Sequence, residues 1–271
     1  GSEMCIRDSD WGRQRGMTSM VGPMGFTDMD HEGMLTFGYD EVGTMATIYN
    51  YPYYVDHMHR MGFAKDAGWV EFYVKVPDKV PDKYARIARI VQQREGLKVK
   101  KFKSRKKVKA QYGHALFELI NEAYDKLYGY SPLTPRQIDY YVDMYLGILN
   151  LDYVTVITDA DDKIVAAGIS IQSFSRALQK SRGRLFPFGW WHMLRALMGH
   201  SDAVDLLLIA VKPEYQSKGV NALIFNDLIP QYIKSGFLHA ETNLELEDNT
   251  KVQNQWDYFE NRLHRRRATF R

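Results

Sequence analysis

The 271-residue sequence contains a single cysteine, Cys5. The stretch around it, Gly1 to Ser9, has no apolar periodicity and reads as a non-native scar outside the fold. With Cys5 set aside there is no thiol, which excludes a disulfide scaffold, a cysteine-ligated zinc and a cysteine nucleophile together. No apolar run approaches the roughly 20 residues that span a bilayer, and no charged segment leads into a short apolar one as in a secretion signal. A cytoplasmic protein without a membrane partner is expected. One-sided charge is also missing. Lys and Arg total 36 against 33 acidic residues, and a formal charge of +3 is too small to argue for nucleic acid by itself.

What remains is ordinary globular usage, 45% hydrophobic and 25% charged, enough for a substantial core. Met17 to Val21 reads as a short strand, Tyr53 to Met61 as a helix ending at Gly62, and Trp69 to Val76 alternates as a strand does. Pro81 to Gly96 has the apolar spacing of an amphipathic helix and is taken as a linker over 77–97. From Lys98 the order becomes a strand at Val99 to Phe102, a helix from about Ala110 to Leu127, and a second helix opening on the capping box Thr134 to Gln137. Tyr153 to Thr158 and Ile164 to Ile171 read as a hairpin, followed by an insert with a helix at Trp190 to Leu197. A strand at Ala203 to Val211, a helix at Val220 to Ile233, a strand at Leu238 to Thr242 and a last helix complete an α+β fold with a mixed, mostly antiparallel sheet flanked by helices.

The chemistry concentrates in Gln216-Ser217-Lys218-Gly219-Val220-Asn221. A buried strand runs through a Pro-containing turn and a glycine loop directly into an apolar helix. That geometry aims unpaired N–H groups and a helix dipole at one point, suited to a pyrophosphate. Gly219 permits close backbone approach, and Lys218 adds a compact positive charge.

This hexamer resembles the acetyl-CoA motif of the GNAT superfamily, the GCN5-related N-acetyltransferases, with Asn221 standing where the family has Gly or Ala. The resemblance implies an acyl-CoA-dependent N-acyltransferase over 98–271, with acetyl-CoA or another acyl-CoA as co-substrate, no metal, and a small-molecule or peptide amine as acceptor. It further implies that the backbone of Ile209, Ala210 and Val211 pairs with the pantetheine amides, that Gln216 to Asn221 with Ala222 hold the phosphates, and that Asn249 contributes from the last helix. Trp256 stands where many members carry a tyrosine that protonates the leaving thiolate. An indole cannot serve as that acid, which leaves Tyr258 as the candidate.

Met17 to Val76 is also similar to the last strands and last helix of a GNAT fold, on the strength of Tyr49-Asn50 and Met61-Gly62-Phe63. A tandem-GNAT protein is therefore expected, with 10–76 the end of a truncated first domain that could pack on the complete one.

Asp205, which begins the strand that leads to the loop, and Glu241, which ends the neighbouring strand, are candidate acceptors of the amine proton, directly or through water; solvated strand-end carboxylates are the plain alternative. The insert Ser173 to His200, with Arg176, Lys180, Arg182 and Arg184 before Phe186-Pro187-Phe188-Gly189-Trp190-Trp191, could wall the acceptor pocket, or be a basic loop with an apolar anchor. Asp28, Asp30, His31 and Glu32 match no metal-ligand spacing and read as a solvated loop. Two other classes stay open. The basic runs Lys98 to Lys109 and His264 to Arg267 suit RNA, although nucleic acid is not the expected partner, and a GNAT fold can bind acyl-CoA without turning it over.

Overall fold

The structure, a computed structural model, describes residues 2–27, 29–146, 149–199 and 201–271. Helix α1 (Ser2–Gln14) opens the chain, so residues expected to form a featureless scar are helical. No strand forms over Met17 to Val21; Gly22 makes only an isolated bridge to Phe270. Then come β1 (Met34–Phe37), α2 (Tyr53–Arg60), β2 (Lys65–Lys75) and α3 (Asp82–Glu95). They are followed by β3 (Lys98–Lys100), α4 (Arg105–Tyr124), α5 (Pro135–Leu146), β4 (Val154–Thr158) and β5 (Ile164–Gln172). The insert folds as α6 (Ser175–Ser181) and α7 (Gly189–Leu197); β6 (Ala203–Val211), α8 (Asn221–Lys234), β7 (His239–Thr242), β8 (Glu245–Leu246), α9 (Thr250–Gln253) and β9 (Asn261–Phe270) complete the chain.

Local chemistry sets several of these boundaries. Ser104 caps α4 by accepting from the Lys107 N–H, and the reciprocal Thr134–Gln137 bonds of a capping box start α5. Gly96 ends α3 in the left-handed region, at φ 65°. Every residue of β5 is buried, which is why its sequence is a near-continuous apolar run with little alternation.

One sheet runs through the molecule in the order β1-β9-β2-β7-β6-β5-β4-β3, with β8 beside β2. Its pairs are antiparallel except β6 with β7. The expected partition between 10–76 and 98–271 does not appear in this sheet. β2, assigned from sequence to a separate truncated unit, lies between β9 and β7 and is bonded to both. α3 likewise packs as a core helix: Tyr84, Ala88 and Val91 join Leu223, Phe225 and Leu228 of α8 in the main apolar cluster. The expected last helix shrinks to α9 and a single 3-10 turn at Trp256–Tyr258, and the chain then enters β9.

β9 escaped the sequence reading because its alternation is written in charge. His264, Arg265 and Arg267 are buried, and the carboxylate of Glu71 on β2 accepts from Arg265 Nε at 2.8 Å and Arg267 Nε at 2.9 Å. The basic run read as a possible RNA contact is thus mostly interior, and exposed Arg266 binds Glu247 at 2.9 Å. In the other run, Lys100, Lys101 and Lys109 pair with Asp162, Asp227 and Asp143.

Candidate functional site

β6 and β7 run side by side only from Ala203↔His239 to Leu206↔Thr242 and then part. At the same level the β5–β6 ladder slips, from Ser170↔Leu206 to Ile169↔Leu208, leaving Leu207 bulged. A bulge bends its strand and re-aims backbone groups, which here opens the sheet. Asn243 bridges the gap by donating its side-chain N–H to the Leu207 carbonyl at 3.0 Å. The opening leads into a cleft of about 1100 Å³. Its walls are largely apolar, with Leu116, Phe117 and Ile120 of α4 facing Ile169, Ile171 and Leu208 of the sheet.

At the far end of β6 the predicted phosphate turn lies on this cleft. Ile209, Val211, Gln216, Ser217, Gly219, Val220 and Asn221 line it, while Ala210, Lys218 and Ala222 do not. Ser217 and Gly219 both take the left-handed conformation, at φ 60° and 84°, reversing the chain twice before α8. The N–H groups of Ser217, Gly219 and Val220 meet no acceptor among the described residues. Unpaired amides at a helix start are the chemistry an anionic phosphate requires, so the turn fits the group its sequence implies.

Three members of the turn also make contacts within the protein. A Cβ on Gly219 would come within 3.0 Å of Ile87 and 3.4 Å of Val91 on α3, so the missing side chain admits that helix. Lys218 does not line the cleft; its ammonium lies 3.4 Å from Glu95, while its carbonyl accepts from Arg94 at 3.2 Å. Gln216 donates to the Val211 carbonyl at 3.1 Å, closing the turn on its own strand.

Of the expected proton-handling residues, Asp205 lines the cleft and is buried, with one carboxylate oxygen lacking a hydrogen-bond partner. Burial pushes it up to about 7, opposed by Ser173 and aided by the charge of its cross-strand neighbour Glu241. Glu241 is engaged elsewhere: it accepts from Arg265 at 3.2 Å, and His264 Nε2 lies 2.9 Å from the same oxygen. Tyr258 is outside the cleft, its hydroxyl bound by Lys83 at 2.6 Å. Asn249 lines the cleft from the start of α9.

One residue that carries no motif emerges only from the folded chain. Glu245 lines the cleft, accepts from the Trp256 indole N–H at 2.8 Å, and keeps its second oxygen buried without a partner. Burial raises it to about 8, with the Trp256 bond opposing. The one available sequence signal was its spacing, eleven residues before a tryptophan already singled out.

In the acidic cluster, Asp30 accepts from the N–H groups of Phe26 and Thr27 at 2.9 and 3.0 Å, an internal turn. Asp28 lies outside the described residues, among which no group of three or more His, Cys, Asp or Glu could hold a metal.

No protein-family model matches the chain. It is 22% identical over 250 residues to Protein YghO of Escherichia coli K12, and 23% identical over 211 residues to a bacterial ceramide synthase of Caulobacter vibrioides. These matches cover 90% and 77% of this chain but 63% and 53% of those relatives, so the chain spans a little over half their length. Among solved structures it is similar to a GCN5-related N-acetyltransferase from Sphaerobacter thermophilus, with a TM-score of 0.52 at 9% identity over 80% of this chain and 55% of the other. It is equally similar to the GCN5-related glucosamine N-acetyltransferase region of a fungal multi-domain β-N-acetylglucosaminidase, with a TM-score of 0.52 at 11% identity over 96% of this chain and 26% of the other. With its mixed open sheet, the parted β6 and β7 and these likenesses, the chain has the GNAT fold, that of the GCN5-related N-acetyltransferases.

Proposed function

We propose that this chain is an N-acyltransferase that moves an acyl group from a CoA thioester to the amine of a long-chain, lipid-like acceptor. The observation that carries the reading is the cleft opened where β6 and β7 part, bounded at one end by three unpartnered amides at the start of α8. The amides of Ser217, Gly219 and Val220 would bind the CoA phosphates, and the freed backbone of Ile209 and Val211 would pair with the pantetheine arm as an added strand does. The thioester, when bound, supplies the activated acyl carbon.

Asp205 is assigned to take the proton released as the amine nitrogen bonds to that carbon. Glu245, holding a proton near neutral pH, is assigned to deliver one to the sulfur as the carbon–sulfur bond breaks. The two carboxyls then exchange protons with water and return to their starting states. On this reading Tyr258, which does not line the cleft, is not the acid that protonates the sulfur, and Glu241, already engaged by Arg265, is not the group that takes the amine proton.

The acceptor class is supported by the apolar lining of the cleft and by the relative named a bacterial ceramide synthase. Calorimetry with acetyl-CoA and a long-chain acyl-CoA, followed by product analysis with a sphingoid-type amine and with spermidine, tests both levels. Micromolar acyl-CoA binding with product from the long-chain amine supports the full reading. Product from spermidine alone would replace the acceptor class, and no binding of either acyl-CoA would overturn the reading.

A further inference from the structure

The aromatic run of the insert between β5 and β6, read from sequence as a pocket wall or as the apolar anchor of a basic loop, is exposed. α6 and α7 pack on each other and, through Phe174, Ala177 and Ala196, against Ile171 and Leu207, two residues that also line the cleft. The opposite side of the pair is apolar and open to solvent. Phe186 and Phe188 are 79% and 74% exposed, and Trp190 and Trp191 of α7 are each about half exposed, at 47%. Leu194 and Leu197 continue the row from Trp190 at helical spacing.

Charge around this face has one sign. From Ser173 to Ser201 the chain carries Arg176, Lys180, Arg182, Arg184 and Arg195 and no acidic residue. Among the described residues only Arg176 has an ion-pair partner, Asp202; the other four are exposed and unpaired. Exposed aromatic rings in a segment whose charged residues are all basic match the boundary of an anionic bilayer, where rings sit at headgroup depth and cations meet phosphate.

The geometry points to α6–α7 as a docking surface for anionic phospholipid bilayers. No helix of the described residues is long and apolar enough to cross a membrane, so attachment would be peripheral. The absence of a spanning segment underlies the expectation of no membrane partner, and surface docking needs no span. The surface lies at the start of β6, while the phosphate turn follows its end. Nine residues of strand separate them, about 30 Å, so docking through α6–α7 does not involve the turn. Docking does not depend on acyl transfer and is read without turnover.

Co-sedimentation of the full chain tests it, with vesicles of phosphatidylglycerol and phosphatidylcholine in equal parts and with phosphatidylcholine alone. Binding to the mixed vesicles is expected, together with a blue shift of tryptophan emission and a loss as salt is raised to about 0.5 M. Arg182→Glu with Arg184→Glu should weaken binding on the order of tenfold, and Phe186→Ser with Phe188→Ser should weaken it without changing its salt dependence. All four positions are exposed, so the circular dichroism of the variants should match the parent. Failure of the parent chain to bind mixed vesicles, or unchanged binding by both double variants, overturns the proposal. So would a dimer in light scattering that the Phe substitutions dissolve, since that assigns the face to a second copy.

Discussion

Trp256 donates its indole N–H to Glu245 at 2.8 Å, and that bond satisfies one oxygen of a buried carboxyl whose other oxygen has no partner. Under the proposed function, Trp256 is not itself the acid but holds the carboxyl assigned to that role. Trp256→Phe keeps the ring in its pocket but removes the bond that lowers the Glu245 pKa, so the alkaline limb of the rate profile should move above about 8. Glu245→Gln should remove that limb and lower the rate roughly 10²-fold or more. An unchanged alkaline limb in the glutamine variant would exclude Glu245 as the donor.

Asp205 sets the opposite limb. Acyl transfer should rise with pH as its carboxyl, held up to about 7, loses its proton. Asp205→Asn should flatten the profile below pH 7 and cost roughly 10² to 10⁴ in rate, and pH–rate measurements at saturating acyl-CoA would show it.

Glu245 also carries a stability signature with a definite sign. Its folded pKa lies above the ordinary value of 4.5, so between 4.5 and about 8 the native state keeps a proton that the unfolded chain has lost. Stability from this group is present below that window and falls as pH rises through it, by at most about 1.4 kcal/mol per unit. Glu245→Gln should therefore match the parent near pH 4 and gain on it toward pH 8 in denaturant unfolding. A constant difference across that range would refute the assignment.

The GNAT order of elements was legible in the sequence because its strands and helices announce themselves by apolar period and by caps such as Thr134, whereas the Ser104 cap was missed and α4 was placed from Ala110 instead of Arg105. The phosphate turn was legible because glycine, a helix start and an apolar strand stand within a dozen residues. β9 was not, since its inward residues are His264, Arg265 and Arg267, whose burial depends on Glu71 nearly two hundred residues away. The place of β2 inside the sheet was hidden for the same reason: its neighbours β7 and β9 are remote in sequence. Glu245 carries no local pattern, and its perturbation comes from burial that only the folded chain supplies.

Gly219 separates packing from ligand binding. An alanine there must hold φ near 84° and press on Ile87, at a cost of about 1–3 kcal/mol. Gly219→Ala should lower the unfolding midpoint with or without ligand, and Ile87→Ala in the same chain should recover only the contact with α3. Equal stability of Gly219→Ala and parent would show that α3 does not need the glycine.

Asn221→Asp is the cleaner probe of the phosphate turn. Asn221 begins α8 and lines the cleft. The substitution changes charge with almost no change of shape, and a carboxylate in the first turn favours the helix dipole by a few tenths to about 1 kcal/mol. Stability should hold or rise while acyl-CoA affinity falls on the order of tenfold or more through repulsion of the phosphates. Calorimetry and thermal unfolding on one sample separate the two effects, and retained affinity would remove this turn from the binding site.

Glu71 anchors the sheet from inside. Its carboxylate is fully buried and accepts from both Arg265 and Arg267, whose guanidinium groups are also buried. Replacing such a group with water-like space is costly because the partners stay charged and cannot reach solvent. Burial already lowers the Arg267 pKa, a sign of how poorly that site supports a lone cation. Glu71→Ala should therefore destabilise the chain by about 3–5 kcal/mol, and Glu71→Gln by less, since an amide oxygen can still accept one of the two bonds. Replacing Arg265 and Arg267 with methionine together with Glu71→Leu removes all three charges at once and should recover most of the loss. If Glu71→Ala alone unfolds no more easily than the parent in urea, the three residues are not acting as one buried network.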